Sequence, residues 1–278
     1  MAVSGGVDSA TSVALLIEAG FDCTGVFMIT NDQARHAQKD AETVAQHLGI
    51  QLHVLDLRSE FEEIIEYFCR EYGRGRTPNP CVFCNRRIKF GRLSEFAKSL
   101  GMDALATGHY ARIMGQGGEA GLYEAAQAGK DQSYVLAQIH REVLPHVLMP
   151  MGDYTKEQTR ERAKELGLAN AEKADSQEIC FIPDDDYVGM LERQRPDFAK
   201  KGPIVDSSGK TLGEHDGTHR FTIGQRRGLR VAMGTPYYVS KIDAVNNVVT
   251  LGPKSEVLHR RLSASGVNWL IDEPSSPF

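Results

Sequence analysis

The stretch Ser4-Gly-Gly-Val-Asp-Ser9 follows a short apolar segment, Met1–Val3, and precedes an alanine-rich helical segment over residues 10–19. A strand, a glycine-rich loop and a helix in this order predict an anion-binding site, because backbone N–H groups converge there and the helix N-terminus carries positive partial charge. The spacing differs from G-x-x-x-x-G-K-[ST], since no lysine follows the glycines, and from the dinucleotide motif G-x-G-x-x-G. The alternative is an ordinary glycine-rich turn between strand and helix with a serine or aspartate cap.

Composition limits the class of protein without choosing a function. The chain has 278 residues, 41% of them hydrophobic and 25% charged, a length that suits two domains and part of a third. No apolar run approaches the ~20 residues needed to cross a bilayer, and the start has no secretory pattern, so we expect a cytoplasmic protein with no membrane partner. The net charge of −5 argues against a uniformly basic nucleic-acid binder but allows local basic patches.

Alternating strands and helices over the first 170 residues predict an α/β fold with a doubly wound parallel sheet. The predicted strands are residues 23–29, 51–57 and 103–108, and the predicted helices are residues 32–48, 59–72 and 88–100. Ligands of such sheets bind beyond the carboxyl ends of the strands. The Ser4–Ser9 loop, Met28 and Thr107–Tyr110 lie at such ends, so we expect them to converge on one cleft.

The pattern changes after Pro196, where short β-branched runs separated by turn residues predict a small β domain. Its predicted strands are residues 203–212, 220–223, 236–242 and 247–251. We therefore expect a nucleotide-binding catalytic domain over 1–196, a β domain over 197–261 and, from the apolar run Leu262–Leu270, the opening strand of something further over 262–278, which the family resemblance given below implies is a C-terminal β-barrel. Both ends look clipped, because only three residues precede the loop and the chain stops soon after this run.

A second chemical feature lies in the most basic part of the chain. Seven Lys or Arg residues fall between Arg70 and Arg92, against one acid, Glu71, and the stretch contains C-x-x-C at Cys81 and Cys84. A helix predicted to begin near Cys84, together with nearby arginines, would lower the pKa of that thiol. The alternatives are half of a structural zinc site, although no second ligand pair is present, and a solvated basic surface.

The remaining cysteines and one short polar segment carry weaker signals. Cys23 and Cys69 fit packing positions in a strand and on an amphipathic helix, and Cys180 taken alone would also read as a buried packing cysteine. The segment 130–134, Lys-Asp-Gln-Ser-Tyr, taken alone would be a helix start with an aspartate cap.

Taken together, these segments closely resemble the tRNA-specific 2-thiouridylases of the ATP pyrophosphatase superfamily. The matching stretches are S-G-G-V-D-S (4–9), G-V-F-M (25–28), G-R-T-P-N-P-x-x-x-C-N (75–85), I-K-F (88–90), A-T-G-H-Y (106–110), K-D-Q-S-Y (130–134), D-S-x-x-I-C-F-I (175–182), G-E-H-x-G (213–217) and T-I-G-Q-R-R-G-L (222–229). They cover essentially the whole chain in family order, which random agreement does not produce.

The resemblance implies a role for each matched position. ATP would be held by Ser4, Gly5, Gly6, Val7, Asp8, Ser9, Met28 and Gly108. The target base would be approached by Asn79, Pro80 and Cys81, and the tRNA contacted by His109, Lys130, Asp131 and Gln132. Cys84 would be the nucleophile, and Cys180 the residue that carries a persulfide.

The resemblance also implies the reaction and its partners. Family members use ATP and Mg²⁺ to adenylate the oxygen at position 2 of the wobble uridine of certain tRNAs, releasing pyrophosphate. Sulfur then replaces that oxygen and AMP leaves. Asp8 would hold Mg²⁺, and the sulfur would come from a donor protein, either a persulfide relay or a cysteine desulfurase.

Position 81 departs from the family pattern, because many members have an acidic residue where this chain has Cys81. Three thiols, Cys81, Cys84 and Cys180, suit a 4Fe–4S cluster with one open iron. The route favoured here is cluster-free, with a persulfide on Cys180 and a disulfide to Cys84. Two other classes of protein stay open: a synthetase that adenylates a small carboxylate or amide, and a non-enzymatic redox or zinc-binding module.

Overall fold

The computed structural model describes residues 1–173, 179–231 and 234–275, and the chain divides into two compact units. The first unit comprises Met1–Ile64, Cys81–Gln177 and Val267–Phe278. The second comprises Ile65–Pro80 and Glu178–Gly266. Among the described residues, no helix combines the length and the apolar composition needed to cross a membrane.

The regular elements up to residue 173 alternate as expected for an α/β fold. In chain order they are α1 (Val7–Glu18), β1 (Thr24–Ile29), α2 (Arg35–Leu48), β2 (Gln51–Asp56), α3 (Arg58–Gly73), α4 (Pro80–Cys84), a π-helix (Asn85–Arg92), α5 (Leu93–Ser99), β3 (Leu105–Ala106), β4 (Ala111–Met114), β5 (Gly121–Glu124), β6 (Val147–Leu148) and α6 (Lys156–Glu165). The prediction of alternating strands and helices is confirmed. Helix α2 ends at Gly49 in the left-handed conformation, as its glycine predicts.

A parallel sheet lies at the centre of the first unit. Strands β1 and β2 pair in parallel, as do β3 and β6. The initial segment connects the two pairs, because Val3 N donates to the Val26 carbonyl (2.9 Å) and Ala2 N donates to the Ala106 carbonyl (2.9 Å). The predicted parallel sheet is thus confirmed, and the apolar segment before the Ser4–Ser9 loop joins it through an isolated parallel bridge between Ala2 and Val26.

Packing explains why α1 follows the loop directly. Val7, Ala10 and Val13 are buried in one cluster with Phe27 of β1 and Val44 of α2. Small and β-branched side chains let this helix lie close to the sheet, so its N-terminus is held at the carboxyl end of the first strand. Burial of this apolar surface is the main term that fixes the loop in place.

Two local predictions in the first unit are wrong. The helix expected to begin at Ile88, with its start placed near Cys84, begins at Pro80 instead and runs through the π-helix to Ser99. Proline suits the first helical position because its fixed φ matches the helix and its missing N–H is not needed there. The strand expected over 103–108 shortens to Leu105–Ala106, and the β4–β5 hairpin was not predicted.

The second unit contains a four-stranded sheet. Its strands and helices are β7 (Gly202–Asp206), β8 (Thr211–His215), β9 (Tyr238–Asp243), β10 (Val248–Gly252), α7 (Tyr187–Gln194) and α8 (Lys254–Val257). The order of strands is β8–β7–β10–β9, and Ile204, Val239 and Val249 are among its buried residues. The small β domain is therefore confirmed as a structural class.

Three strand predictions at this end need correction. Residues 203–212 form two strands joined by a turn, and Thr218–Arg220 is a 3₁₀ turn rather than part of a strand over 220–223. The described residues after Gly252 contain no strand over Leu262–Leu270. Instead Asn268 Nδ2 donates to the Ala137 and Ile139 carbonyls, at 2.9 and 2.7 Å.

The carboxyl half of α3 belongs with the second unit. Phe68, Cys69 and Tyr72 are buried with Met190 and Leu191 of α7. Residues 65–80, which the sequence places in the first domain, are therefore packed with the β sheet unit. The domain limits at 196 and 261 stay predictions.

Candidate nucleotide and thiol site

The Ser4–Ser9 loop is held in shape by its main chain. Gly5 has φ +75°, and a Cβ there would lie 2.7 Å from the Ala37 carbonyl oxygen, so only glycine fits. The Gly5 carbonyl accepts hydrogen bonds from Asn170 Nδ2 (3.2 Å) and Lys173 Nζ (3.4 Å). With that carbonyl engaged, the opposite side of the loop is left for an anion.

The start of α1 provides donors for such an anion. Its N-cap, Gly6, has no side chain, and the first backbone bond of the helix runs from Ala10 N to the Gly6 carbonyl. The hydroxyls of Ser4 and Ser9 lie 3.1 Å apart, and of the two only Ser4 is exposed, because the buried Ser9 hydroxyl donates to the Gly6 carbonyl at 3.0 Å. N–H groups of a first helical turn have no partner within the helix and attract phosphate. This geometry fits a pyrophosphate group.

The carboxyl end of β3 crosses directly over this helix start. A Cβ on Gly108 would lie 2.9 Å from Ser9 N and 3.0 Å from the Asp8 carbonyl carbon. Any side chain at position 108 would therefore push the strand end away from the loop. The expected convergence of these two segments on one cleft is observed, and Met28 lies at the carboxyl end of β1 in the same sheet.

Asp8 lies in an ion pair that the sequence did not reveal. Its Oδ1 accepts hydrogen bonds from Lys156 Nζ (2.6 Å) and from the Tyr110 hydroxyl (2.8 Å). Lys156 is only 6% exposed, although it is the first residue of α6, where a positive charge meets the helix dipole unfavourably. The carboxylate of Asp8 offsets the free-energy cost of burying this ammonium and the cost of placing it at a helix N-terminus. In the sequence Lys156 is one of several charges on a polar helix, and nothing local distinguishes it.

The donor groups set limits on the metals that this cleft can hold. Within residues 1–173, 179–231 and 234–275, no group of three or more His, Cys, Asp or Glu side chains is arranged to hold a metal ion. Mg²⁺ needs only one or two carboxylates when phosphates supply further ligands, so Asp8 fits Mg²⁺ brought with a nucleotide. A 4Fe–4S cluster on Cys81, Cys84 and Cys180 has no such support in the described residues.

Cys84 differs from its prediction in position and in acidity. It is the last residue of α4, a full turn inside the helix that starts at Pro80, so it does not face a helix N-terminus. Burial raises the pKa of the Cys84 thiol, while the ammonium of Lys89 opposes this effect. The predicted lowering of the pKa is wrong, because desolvation of the thiolate outweighs the nearby charge.

Lys89 is connected to the strand end through His109. His109 Nε2 lies 3.3 Å from Lys89 Nζ, and its Nδ1 lies 2.8 Å from Thr107 Oγ1. Burial, followed by the charge of Lys89, holds the pKa of His109 well below its usual value, so the ring is neutral and accepts from Lys89. His109 is 9% exposed, and this geometry supports a role in positioning Lys89 rather than the predicted tRNA contact.

The basic stretch is less basic in three dimensions than along the chain. In the second unit Glu71 binds both Arg74 (3.0 Å) and Arg76 (3.1 Å). The part of the stretch that lies in the first unit forms the ion pairs Arg87–Glu63, Arg92–Glu60 and Arg92–Glu95. The count of one acidic residue against seven basic residues, made along the chain, therefore overstates the local positive charge, because α3 and α5 supply further carboxylates. The arginines are about half exposed, and such pairs are weak enough to exchange for phosphate.

The remaining predicted tRNA contacts fall into two kinds. Asp131 accepts hydrogen bonds from Ala125 N (2.8 Å) and the Ser133 hydroxyl (2.7 Å). Gln132 accepts from Tyr110 N (3.0 Å) and so ties its segment to the end of β3. These two side chains shape the loop. Asn79 is exposed and Lys130 is half-buried, so both reach the surface of the protein.

The other cysteines separate by exposure. Cys180 is exposed and belongs to the second unit, and residues 175–178 of its motif lie outside the described residues. Burial raises the pKa of the Cys69 and Cys23 thiols. These two fit the packing roles predicted for them.

A parallel sheet with a glycine loop suited to pyrophosphate at its carboxyl edge defines a nucleotide-binding protein of the ATP pyrophosphatase type. Residues 1–184 match the family described as tRNA methyl transferase HUP domain, and residues 190–253 match the tRNA methyl transferase PRC-barrel domain. The chain is 48% identical to the tRNA-specific 2-thiouridylase MnmA of Syntrophotalea carbinolica, over 100% of this chain and 81% of that protein. The chain belongs to the tRNA-specific 2-thiouridylase family.

Two further comparisons give the range of similarity. MnmA of Carboxydothermus hydrogenoformans is 46% identical over 97% of this chain and 78% of its own length. A solved structure, the U34-tRNA thiolase NcsA of Methanococcus maripaludis with its [4Fe-4S] cluster, is 19% identical, with a TM-score of 0.43, over 70% of this chain and 66% of that one.

Proposed function

We propose that the chain is an ATP-dependent tRNA-uridine 2-sulfurtransferase that converts the wobble uridine of tRNA to 2-thiouridine. The observation that carries this proposal is the glycine loop at the start of α1, closed by Gly108 and lined by the Asp8–Lys156 pair. Family membership supports the choice of tRNA as substrate. A tRNA substrate fits a cytoplasmic site of action, which we propose for this chain.

The first chemical step activates a poor leaving group. The oxygen at position 2 of uridine attacks the α-phosphorus of ATP, and the bond from that phosphorus to pyrophosphate breaks. Ser4–Ser9, Met28 and Gly108 would hold the nucleotide, with the loop N–H groups receiving the negative charge that develops on pyrophosphate. Mg²⁺, held by Asp8 and the phosphates, would neutralise further charge.

Lys156 has a defined place in this step. The loop lacks the lysine of other phosphate loops, and α6 brings one to Asp8 at 2.6 Å. A buried ammonium beside the loop would stabilise departing pyrophosphate electrostatically. The Tyr110 hydroxyl and the ammonium share one carboxylate oxygen, so Asp8 orients both groups.

The second step exchanges oxygen for sulfur. The terminal sulfur of a persulfide on Cys180 attacks carbon 2 of the activated base. The Cys84 thiolate then attacks the Cys180 sulfur, the S–S bond of the persulfide breaks, and AMP leaves with the original oxygen. Product is 2-thiouridine with a Cys84–Cys180 disulfide, which two external thiols must reduce. The persulfide sulfur would come from a donor protein, a relay or a cysteine desulfurase.

RNA recognition would involve the segment Asn79–Cys81, in which Asn79 and Cys81 are exposed and Pro80 is buried, together with Lys130. Asn79, Pro80 and Cys81 would approach the base, and Lys130 would contact the tRNA with its segment shaped by Asp131 and Gln132. Arginines of the basic stretch would exchange their carboxylates for phosphates. This exchange makes binding weaken as salt concentration rises.

The decisive experiment is reconstitution with purified chain. ATP, Mg²⁺, a persulfide donor and an unmodified tRNA transcript are incubated, and 2-thiouridine is measured by mass spectrometry together with AMP and pyrophosphate. The matched control is the same transcript with cytidine at the wobble position, which should give no thiolated product. Pyrophosphate release that needs a small carboxylate or amide and ignores tRNA would overturn the proposal in favour of a synthetase.

A further inference from the structure

The loop Thr222–Leu229 carries a motif, T-I-G-Q-R-R-G-L, that the proposed reaction does not use. Its shape is fixed by polar contacts: Thr222 N donates to Gln225 Oε1 (2.9 Å), and Gln225 Nε2 donates to the Arg227 carbonyl (3.0 Å). Gly224 N donates to the Val239 carbonyl at 2.8 Å. None of these bonds uses an arginine side chain, so the loop is built independently of the charges it presents.

Arg226 and Arg227 differ from three other arginines of the second unit, which are held in ion pairs. Arg220 pairs with Glu192, Arg230 with Asp216 at 3.1 Å, and Arg195 with Glu66 at 2.7 Å. Arg226 and Arg227 are both exposed, and no carboxylate of the described residues forms an ion pair with either of them. Two adjacent guanidinium groups at the tip of a rigid loop form a concentrated positive surface.

An exposed apolar side chain accompanies these charges. Ile223, next to the arginines, is 47% exposed. A groove beside the loop is lined by Arg226, Arg230 and Tyr237 among the described residues. Guanidinium groups beside apolar and aromatic side chains are typical of surfaces that bind phosphate and pack against ribose or base.

The loop is tied to the segment proposed to approach the target base. Thr77 Oγ1 and Thr222 Oγ1 are 2.9 Å apart and share a hydrogen bond. Gly75 lies against Ile242 of β9, where a Cβ would meet the isoleucine Cγ2 at 3.0 Å. The segment Gly75–Pro80 and the loop Thr222–Leu229 are therefore neighbours on one face of the second unit.

We propose that Arg226 and Arg227 bind the tRNA phosphates next to the nucleotide approached by Asn79 and Pro80. This inference rests on the proposed function and adds a contact surface to it. RNA is favoured over an acidic protein because the loop adjoins the segment assigned to the base. The arginines need no rearrangement of an existing ion pair before they bind phosphate, in contrast to Arg74 and Arg76.

The test measures the affinity of the full chain for an unmodified tRNA transcript by fluorescence anisotropy at several salt concentrations. R226Q/R227Q should raise Kd roughly tenfold and reduce the slope of log Kd against log salt by about 1.5, because two phosphate contacts are lost. R226K/R227K should recover much of the slope. The matched control is K200Q/K201Q, an adjacent pair of exposed cations in the same unit, which should change Kd less than about threefold.

The outcomes separate this inference from the proposed function. An unchanged Kd and slope in R226Q/R227Q, with wild-type chain that binds and thiolates tRNA, would overturn the inference alone. Wild-type chain that does not bind tRNA would overturn both. A variant that keeps tRNA affinity but accepts sulfur more slowly from the donor protein would reassign the loop to that protein and also overturn the RNA contact.

Discussion

The Ser4–Ser9 loop and the basic stretch Arg70–Arg92 prepare for phosphate in opposite ways. The loop offers backbone groups, fixed by Gly5, Gly108 and buried packing of α1, so its binding geometry exists before a ligand arrives. The basic stretch offers side chains that are engaged with Glu71 and other acids. A backbone site tolerates little change in shape, whereas a side-chain site can exchange partners. The first suits chemistry, and the second suits capture of a large substrate.

The largest effect expected in the basic stretch concerns its thiols. Cys84→Ser and the second unit's Cys180→Ser should each abolish thiolation while ATP still binds, because both thiols act after or beside activation. Cys69→Ala should lower stability by about 2 kcal/mol and leave thiolation per folded molecule unchanged. Mass spectrometry of 2-thiouridine and a thermal melt measure the two effects. Loss of turnover in folded Cys69→Ala would contradict this division of the cysteines.

The next effect concerns the loop side of the comparison. Asp8→Asn should slow pyrophosphate release by roughly 100-fold or more, since it removes a group that orients Lys156 and would hold Mg²⁺. It should also lower the free energy of unfolding by about 1–3 kcal/mol, because the buried ammonium of Lys156 loses its partner.

A double variant separates these two effects. D8N/K156M removes both charges, so it should recover the stability but stay inactive. K164M, on the exposed part of the same helix, is the matched control and should behave as wild type. Recovery of pyrophosphate release in the double variant would show that the pair is merely structural.

A smaller effect is expected at the junction of the two regions. Lys89→Met removes the charge that lowers the Cys84 pKa, so alkylation of Cys84 at pH 8 should slow by roughly threefold to tenfold. The rate is followed by peptide mass spectrometry, with the exposed Cys81 as internal reference. Lys98→Met is the control. Faster alkylation of Cys84 in K89M would contradict the assignment of Lys89.

The smallest effect is a pH dependence of stability. The pKa of His109 is lower in the folded chain than in the unfolded one, so the unfolded state binds more protons as pH falls below about 6.5. Stability is then lost toward low pH, by up to about 1.4 kcal/mol per pH unit from this group. His109→Gln should have a shallower loss between pH 6.5 and 5.5 in urea unfolding, although His215 and His219 add loss of the same sign in both proteins. An equal slope would contradict the neutral buried ring.

The sequence alone predicted those features of the fold and the site that are determined by residues close together along the chain. The glycine loop, the helix cap at Gly49 and the parallel sheet follow from neighbouring residues, and each is observed. Family resemblance supplied the roles of Cys84 and Cys180, which spacing alone left open. Those roles stay predictions.

Other features depend on partners that are far away in sequence. Lys156 meets Asp8 across 148 positions, so no local pattern contains the pair. The acidity of Cys84 was predicted with the wrong sign because the burial of a thiol is a tertiary property. The arginines of the basic stretch were counted without the carboxylates of α3 and α5. The ion pairs of a charged side chain and the burial of a thiol can both be known only from the folded structure.

The π-helix over Asn85–Arg92 affects the direction in which the Cys84 thiol lies about the helix axis. Leu93 N bonds to the Ile88 carbonyl, five residues back, so this segment holds one residue more per turn than an α-helix. A residue five positions on would point about 140° away in an α-helix, yet Lys89 acts on Cys84 from that position. Replacing this segment by α-helical geometry would therefore change the direction of Cys84 relative to Lys89. The wider turn of the π-helix thus brings Lys89 back toward the side of the helix that carries Cys84.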